Sequence, residues 1–164
     1  MNKIKYNILI IGLGNLIMSD DGVGIHVIKK LQQENFGERI LALEVGTSPL
    51  YYLEEISKAA KVIVIDAVKG GEKPGSIYRL TEEDFKSSQN IIRDFHEYSL
   101  LNVIKLAREI TGLPVNFMVY GIEPKNLNLD QKLSKIVSKS LPNLLKLRTN
   151  WADAQSSINQ NFTD

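Results

Sequence analysis

The chain has 164 residues, of which 43% are hydrophobic and 24% are charged, and its formal net charge is +1. These values are typical of one globular domain, and without a long basic run we expect no nucleic-acid partner. The sequence contains no cysteine, which excludes thiol nucleophiles, zinc–cysteine sites and disulfides and is compatible with a cytoplasmic location. The apolar run near the start is too short to span a membrane and lacks a cleavage site, so we expect neither a membrane anchor nor a signal peptide.

Apolar runs alternate with segments of helical periodicity along the chain. Strands are predicted, in order, at 7–11, 39–45, 61–65, 76–80 and 115–122. Helices are predicted at 21–33, 49–58, 96–111 and 129–154, with a short helical turn at 82–85. Pro142 is expected to kink or split the last helix. His26 lies off the apolar stripe of the first helix and is predicted to be a surface histidine rather than a ligand.

This alternation predicts an α/β protein, a three-layer α/β/α sandwich around a mostly parallel sheet of about five strands. The connection before 76–80 is too short for a helical crossover, so this segment is predicted to be an antiparallel edge strand. Residues 1–150 are expected to form one domain, and the polar tail 151–164 is expected to fray.

The glycine turn after the first strand admits two interpretations. Gly12 and Gly14 fit the dinucleotide fingerprint G-x-G-x-x-G, but Ile17 occupies the third glycine position. The acidic pair Asp20-Asp21 follows, and two carboxylates would repel a pyrophosphate. We therefore favour the second interpretation, a carboxylate at a strand end that holds a metal or polarises a substrate.

Further polar residues fall where strands end or helices begin. Glu44, Asp66 and Glu123 come at the ends of predicted strands, and His96 precedes a helix. In parallel sheets, ligands bind outside the carboxyl ends of the strands. Asp21, Asp66 and His96 would supply two carboxylates and an imidazole, a set that suits zinc or nickel and leaves positions open.

Each of these residues also has a purely structural interpretation. Asp21 could cap a helix, Asp66 could cap a turn, and His96 could be a hydrogen-bonded core histidine. Glu44 and Glu123 could be solvated loop acids. The spacing does not form a compact metal motif, so none of these residues decides the question by itself.

Five segments carry a resemblance to a known family. They are IGLGNLIMSDDGVG (11–24), VGTSP (45–49), VIDAV (64–68), HEYSLLNVI (96–104) and GIEPKNLNLDQKLS (121–134). In these segments and in this order the chain resembles the hydrogenase maturation endopeptidases, which process the large subunit of nickel–iron hydrogenases. The chain has Val45 where many relatives have a glycine.

The resemblance implies a hydrolase that cuts a C-terminal extension from the hydrogenase large-subunit precursor. By motif, the family's metal-binding residues correspond to Asp21, Asp66 and His96, which would also be the catalytic residues. The resemblance further implies that nickel arrives with the precursor, and we expect a monomer. Two alternatives stay open: a non-catalytic assembly factor that docks on the same precursor, and a Rossmann-type oxidoreductase domain with Glu44 on a ribose hydroxyl.

Overall fold

The computed structural model describes residues 3–87 and 95–147, and for residues 95–98 it describes the backbone only. The strands are β1 Tyr6–Leu13, β2 Ile40–Gly46, β3 Ala59–Ala67, β4 Ile77–Thr81 and β5 Asn116–Ile122. The helices are α1 Val23–Leu31, α2 Leu53–Ile56, α3 Glu82–Ser87, α4 Phe95–Thr111 and α5 Lys135–Lys146. Two 3-10 turns, Ser19–Gly22 and Pro49–Tyr52, lead into α1 and α2.

The five strands form one sheet in the order β2-β1-β3-β5-β4. All neighbouring pairs are parallel except β4 with β5, which confirms the predicted antiparallel edge strand. Gly12 of β1 lies opposite Glu44 of β2 and Ile65 of β3. The carboxyl ends of these three strands therefore meet at one edge of the sheet, which we call the carboxyl edge.

Helices cover both faces of the sheet, as predicted. On one face the sheet packs against α1 and α5, through buried side chains such as Val27, Leu31 and Leu141. On the other face it packs against α2 and α4, through Ile56, Leu100, Ala107 and their neighbours. The central strands β1 and β3 are buried on both faces, which is why their sequences are nearly continuous in Val, Ile and Leu.

Glycines allow α1 to lie very close to the sheet. A side chain at Gly24 would place its Cβ 2.3 Å from the carbonyl oxygen of Ile65 and 2.4 Å from that of Leu13. A side chain at Gly12 would place its Cβ 2.4 Å from the carbonyl oxygen of Gly24. Because all these atoms belong to the backbone, only glycine fits at either position.

The structure corrects the predicted start of the last helix. The helix begins at Lys135 rather than near 129, because residues 124–134 form a loop that contacts Ser19 and Asp20. Pro142 lies inside α5 and does not split it. The predicted end near 154 and the tail 151–164 lie outside the described residues. No helix within 3–87 and 95–147 is long and apolar enough to cross a membrane.

Candidate functional site

Asp21 is carried by the 3-10 turn Ser19–Gly22, directly above the end of β1. Its Oδ2 accepts a hydrogen bond of 2.8 Å from the backbone N–H of Asn15, across the loop that follows the glycine turn. Gly14, at φ +115°, leaves room for this arrangement, because a Cβ there would lie 1.8 Å from the carbonyl oxygen of Asp21. The helix-capping interpretation of Asp21 is wrong, since α1 begins after Gly22 without a side-chain cap.

Asp66 is the penultimate residue of β3 and is 1% exposed. Its Oδ1 accepts a hydrogen bond of 2.8 Å from the N–H of Ala67, the last residue of β3. The 3-10 turn with Asp21 packs against β3. Asp66 near the end of β3 and Asp21 on the turn that contacts β3 therefore lie at the same edge of the sheet.

His96 lies in the first turn of α4, and its side chain is outside the described residues. Among the described side chains, no group of three or more acidic or histidine residues converges in a metal-binding cluster. The three-residue metal set therefore stays a prediction, of which two members share one edge of the sheet.

Asp20 is a buried carboxylate that the sequence interpretation did not separate from Asp21. It is 0% exposed, and its Oδ2 accepts hydrogen bonds of 2.9 Å from the N–H groups of Lys125 and Asn126. Its Oδ1 accepts a third bond, 2.7 Å, from the N–H of Ser134. Three donors compensate the cost of burying the charge, so Asp20 joins the turn that carries Asp21 to the loop 124–134.

Glu123, which follows β5, also holds a loop by accepting backbone hydrogen bonds. It is 8% exposed, so the prediction of a solvated loop acid is wrong for this residue. Its Oε2 accepts hydrogen bonds from the N–H groups of Gly70 and Gly71, at 2.7 and 3.2 Å, and from the hydroxyl of Tyr78. Burial is the largest of the causes that raise the pKa of Tyr78, ahead of this hydrogen bond. Glu123 thereby fixes the loop that follows Asp66.

A cavity of about 310 Å³ opens at the carboxyl edge between β1 and β2. Asn15, Glu44 and Thr47 supply its polar lining. Val45 also contributes to the wall. The N–H of Gly14 donates to the carbonyl of Gly46 at 3.0 Å, so the two glycine turns that frame the cavity are joined.

His26 is half-buried in α1, which corrects the prediction of a surface histidine. Burial lowers the pKa of its imidazole below the ordinary value, and Lys29 and Lys30 lower it further. A hydrogen bond to the backbone of Gln131 opposes these effects. Nε2 is buried, with no hydrogen-bond partner among the described residues. His26 therefore packs against the loop 124–134.

The geometry disfavours the dinucleotide interpretation. The space beside Gly14, where a pyrophosphate would approach, is filled by the backbone of Asp21. The strand order β2-β1-β3-β5-β4 also differs from the order 3-2-1-4-5-6 of a Rossmann domain. The fold and this edge define a three-layer α/β/α protein with an acidic site beside a small polar cavity.

Comparison with known proteins identifies the family. The family model described as HycI, hydrogenase maturation protease, matches residues 25–151, and the chain belongs to this family of peptidases. A relative from Methanocaldococcus jannaschii, provisionally named as a hydrogenase maturation protease, is 27% identical over 86% of this chain and 96% of its own length.

Two further comparisons support this assignment. The hydrogenase expression/formation protein HupD of Thiocapsa roseopersicina is 27% identical over 74% of this chain, and the match covers 56% of HupD. The solved structure of the nickel–iron hydrogenase maturation protease HybD from Thermococcus kodakarensis superposes with a TM-score of 0.75 at 26% identity, covering 88% of this chain and 98% of HybD.

Proposed function

We propose that this peptidase removes a C-terminal extension from the precursor of a nickel–iron hydrogenase large subunit. In this proposal Asp21, Asp66 and His96 contact nickel that the precursor already carries. Membership of the hydrogenase maturation protease family supports the substrate class. The assignment of the site is supported by one observation: Asp66 lies at the end of β3, and the 3-10 turn that carries Asp21 contacts β3.

The proposed reaction is hydrolysis of one peptide bond held at the carboxyl edge. Nickel in the precursor serves as a recognition element, so the scissile bond is positioned when the precursor docks. A water molecule attacks the peptide carbonyl, and a carboxylate at this edge is suited to accept its proton. In this proposal the turn formed by Gly46 and Thr47, which bounds the cavity, supports the bound peptide.

The direct test is the intact mass of a precursor before and after incubation with this chain. A nickel-loaded precursor is expected to lose a C-terminal peptide, while a nickel-free precursor keeps its mass. Cutting of both forms would contradict nickel recognition. A stable complex with no change in mass would instead support the assembly-factor alternative.

The aspartate at the end of β3 is tested with Asp66→Asn. The amide oxygen can still accept the hydrogen bond from Ala67, so the melting temperature is expected to stay near that of the unmodified chain. Loss of the carboxylate is expected to slow precursor cutting by about 100-fold or more. Glu72→Gln is the matched control, because it removes an exposed charge from the loop after β3 and is expected to cut normally. Unchanged cutting by Asp66→Asn would remove Asp66 from the site.

A further inference from the structure

Four large apolar side chains are exposed around the cavity at the carboxyl edge. Ile17 and Leu129 are 49% and 78% exposed, and Leu50 and Tyr51 are 59% and 86% exposed. We call these four residues the apolar rim. Contiguous exposed apolar surface is typical of a place where a partner binds.

The two halves of the rim belong to segments that adjoin the two loops lining the cavity, one after β1 and one after β2. Ile17 follows Leu16, which lines the cavity, and Leu50 follows closely after Thr47, which also lines it. Leu129 stands beside Ile17, because the N–H of Asp130 donates to the carbonyl of Ile17 at 3.0 Å. A chain bound along both of these loops would therefore meet exposed apolar side chains next to each of them.

Hydrogen bonds hold both halves of the rim in place. The N–H of Asp130 donates to Ile17, and its carbonyl accepts a hydrogen bond of 2.7 Å from the N–H of Ser19. On the other side, the hydroxyl of Tyr52 donates to the carbonyl of Glu44 at 3.1 Å and fixes the turn that carries Leu50. Because the backbone is already ordered, a partner that covers the rim gains apolar burial at little cost in loop ordering.

The neighbouring edge strand is closed to an added strand. The carbonyls of Ala42 and Glu44, two residues apart on β2, point to the same side of the strand. They accept hydrogen bonds from Gln32 Nε2, at 3.0 Å, and from the hydroxyl of Tyr52. A strand added along β2 would compete with these two side-chain bonds, which disfavours strand pairing there.

We infer that the apolar rim binds the precursor polypeptide on both sides of the peptide bond that is cut, through apolar side chains of the precursor. This inference rests on the proposed function. The precursor is taken as the occupant of the rim because the rim is continuous with the candidate site. The partner is a polypeptide because the cavity between the two halves offers the hydrogen-bonding groups of Asn15, Glu44 and Thr47. Such groups suit main-chain amides flanked by apolar side chains.

The inference is tested with two double variants, Ile17→Ser with Leu129→Ser, and Leu50→Ser with Tyr51→Ser. Each is expected to raise the KM for the precursor about tenfold, which corresponds to about 1.4 kcal/mol, and to change kcat less than about twofold. The matched control is Ile110→Ser with Val115→Ser, whose side chains are 59% and 58% exposed near the opposite edge of the sheet. This control is expected to keep the KM unchanged.

The dissociation constant of the complex with the precursor is measured beside the rate of cutting. Rim variants that bind and cut as well as the control pair would overturn the inference. A chain that binds the precursor without cutting it would contradict the proposed reaction. In that case a tenfold weaker complex of the rim variants still supports the rim, and unchanged binding still overturns it.

Discussion

At the scale of single residues, the carboxyl edge depends on two buried carboxylates that hold loops. Asp20 accepts three backbone hydrogen bonds from residues more than 100 positions away, and Glu123 accepts two from the loop after β3. The 3-10 turn that contains Asp20 begins with Ser19 at φ +48°, a left-handed conformation that is unfavourable for a non-glycine residue. The hydrogen bonds of Asp20 and Ser19 to the loop 124–134 offset this cost.

Asp20→Ala is expected to lower the free energy of unfolding by about 3–5 kcal/mol, because three backbone N–H groups lose their buried acceptor. Urea denaturation at pH 7 measures the change. Asp130→Ala is the control on the same loop. Its exposed side chain accepts only the N–H of Lys132 among the described residues, and the loss is expected to stay below about 1 kcal/mol. Equal losses in both variants would contradict the structural role of Asp20.

The difference between Asp20 and Asp21 shows what the sequence could predict at this scale. Local patterning predicted that Asp66 ends a strand and that Asp21 follows the first strand and its glycine turn, since strand ends can be recognised from the sequence. The partners of Asp20 lie at 125–134, and no local pattern connects them to an acid near the N-terminus. For the same reason Glu123 was not recognised as the residue that fixes Gly70 and Gly71.

At the scale of elements, periodicity predicted the strands and the inward faces of α1 and α4, because burial there follows the repeat of one element. The start of α5 was not predictable in this way. The sequence pattern extended the helix over residues 129–134, but the N–H of Ser134 donates to Asp20, and the helix begins only after it. Pro142 inside α5 shows the converse, since the burial of Val137, Leu141 and Leu144 outweighs the lost backbone hydrogen bond.

The close contact of α1 with the sheet is tested with Gly24→Ala. Alanine favours helices, but its Cβ would overlap the carbonyl oxygens of Leu13 and Ile65, so a net loss of about 2 kcal/mol in the free energy of unfolding is expected. Gly37→Ala is the control. No atom lies within 4 Å of its added Cβ, and only its φ of +84° opposes the change, at a cost of about 1 kcal/mol. A stabilised Gly24→Ala chain would show that α1 does not pack as described.

At the scale of the whole molecule, stability is expected to fall as the pH decreases from 7.5 to 5. Burial lowers the pKa of His26 in the folded chain, so the unfolded chain, with an ordinary pKa near 6.5, takes up the proton first. Acid therefore favours unfolding until the pH falls below the pKa of the folded state.

His26→Gln is expected to reduce this decrease in stability, measured as the difference in the free energy of unfolding from urea titrations at the two pH values. Glu82→Gln is the control, because the hydrogen bond from Arg108 lowers the pKa of Glu82 from an ordinary value near 4.5, and its contribution is lost only in more acidic solution. The same decrease in His26→Gln as in the unmodified chain would assign the pH dependence to other groups, of which His96 is the only other histidine.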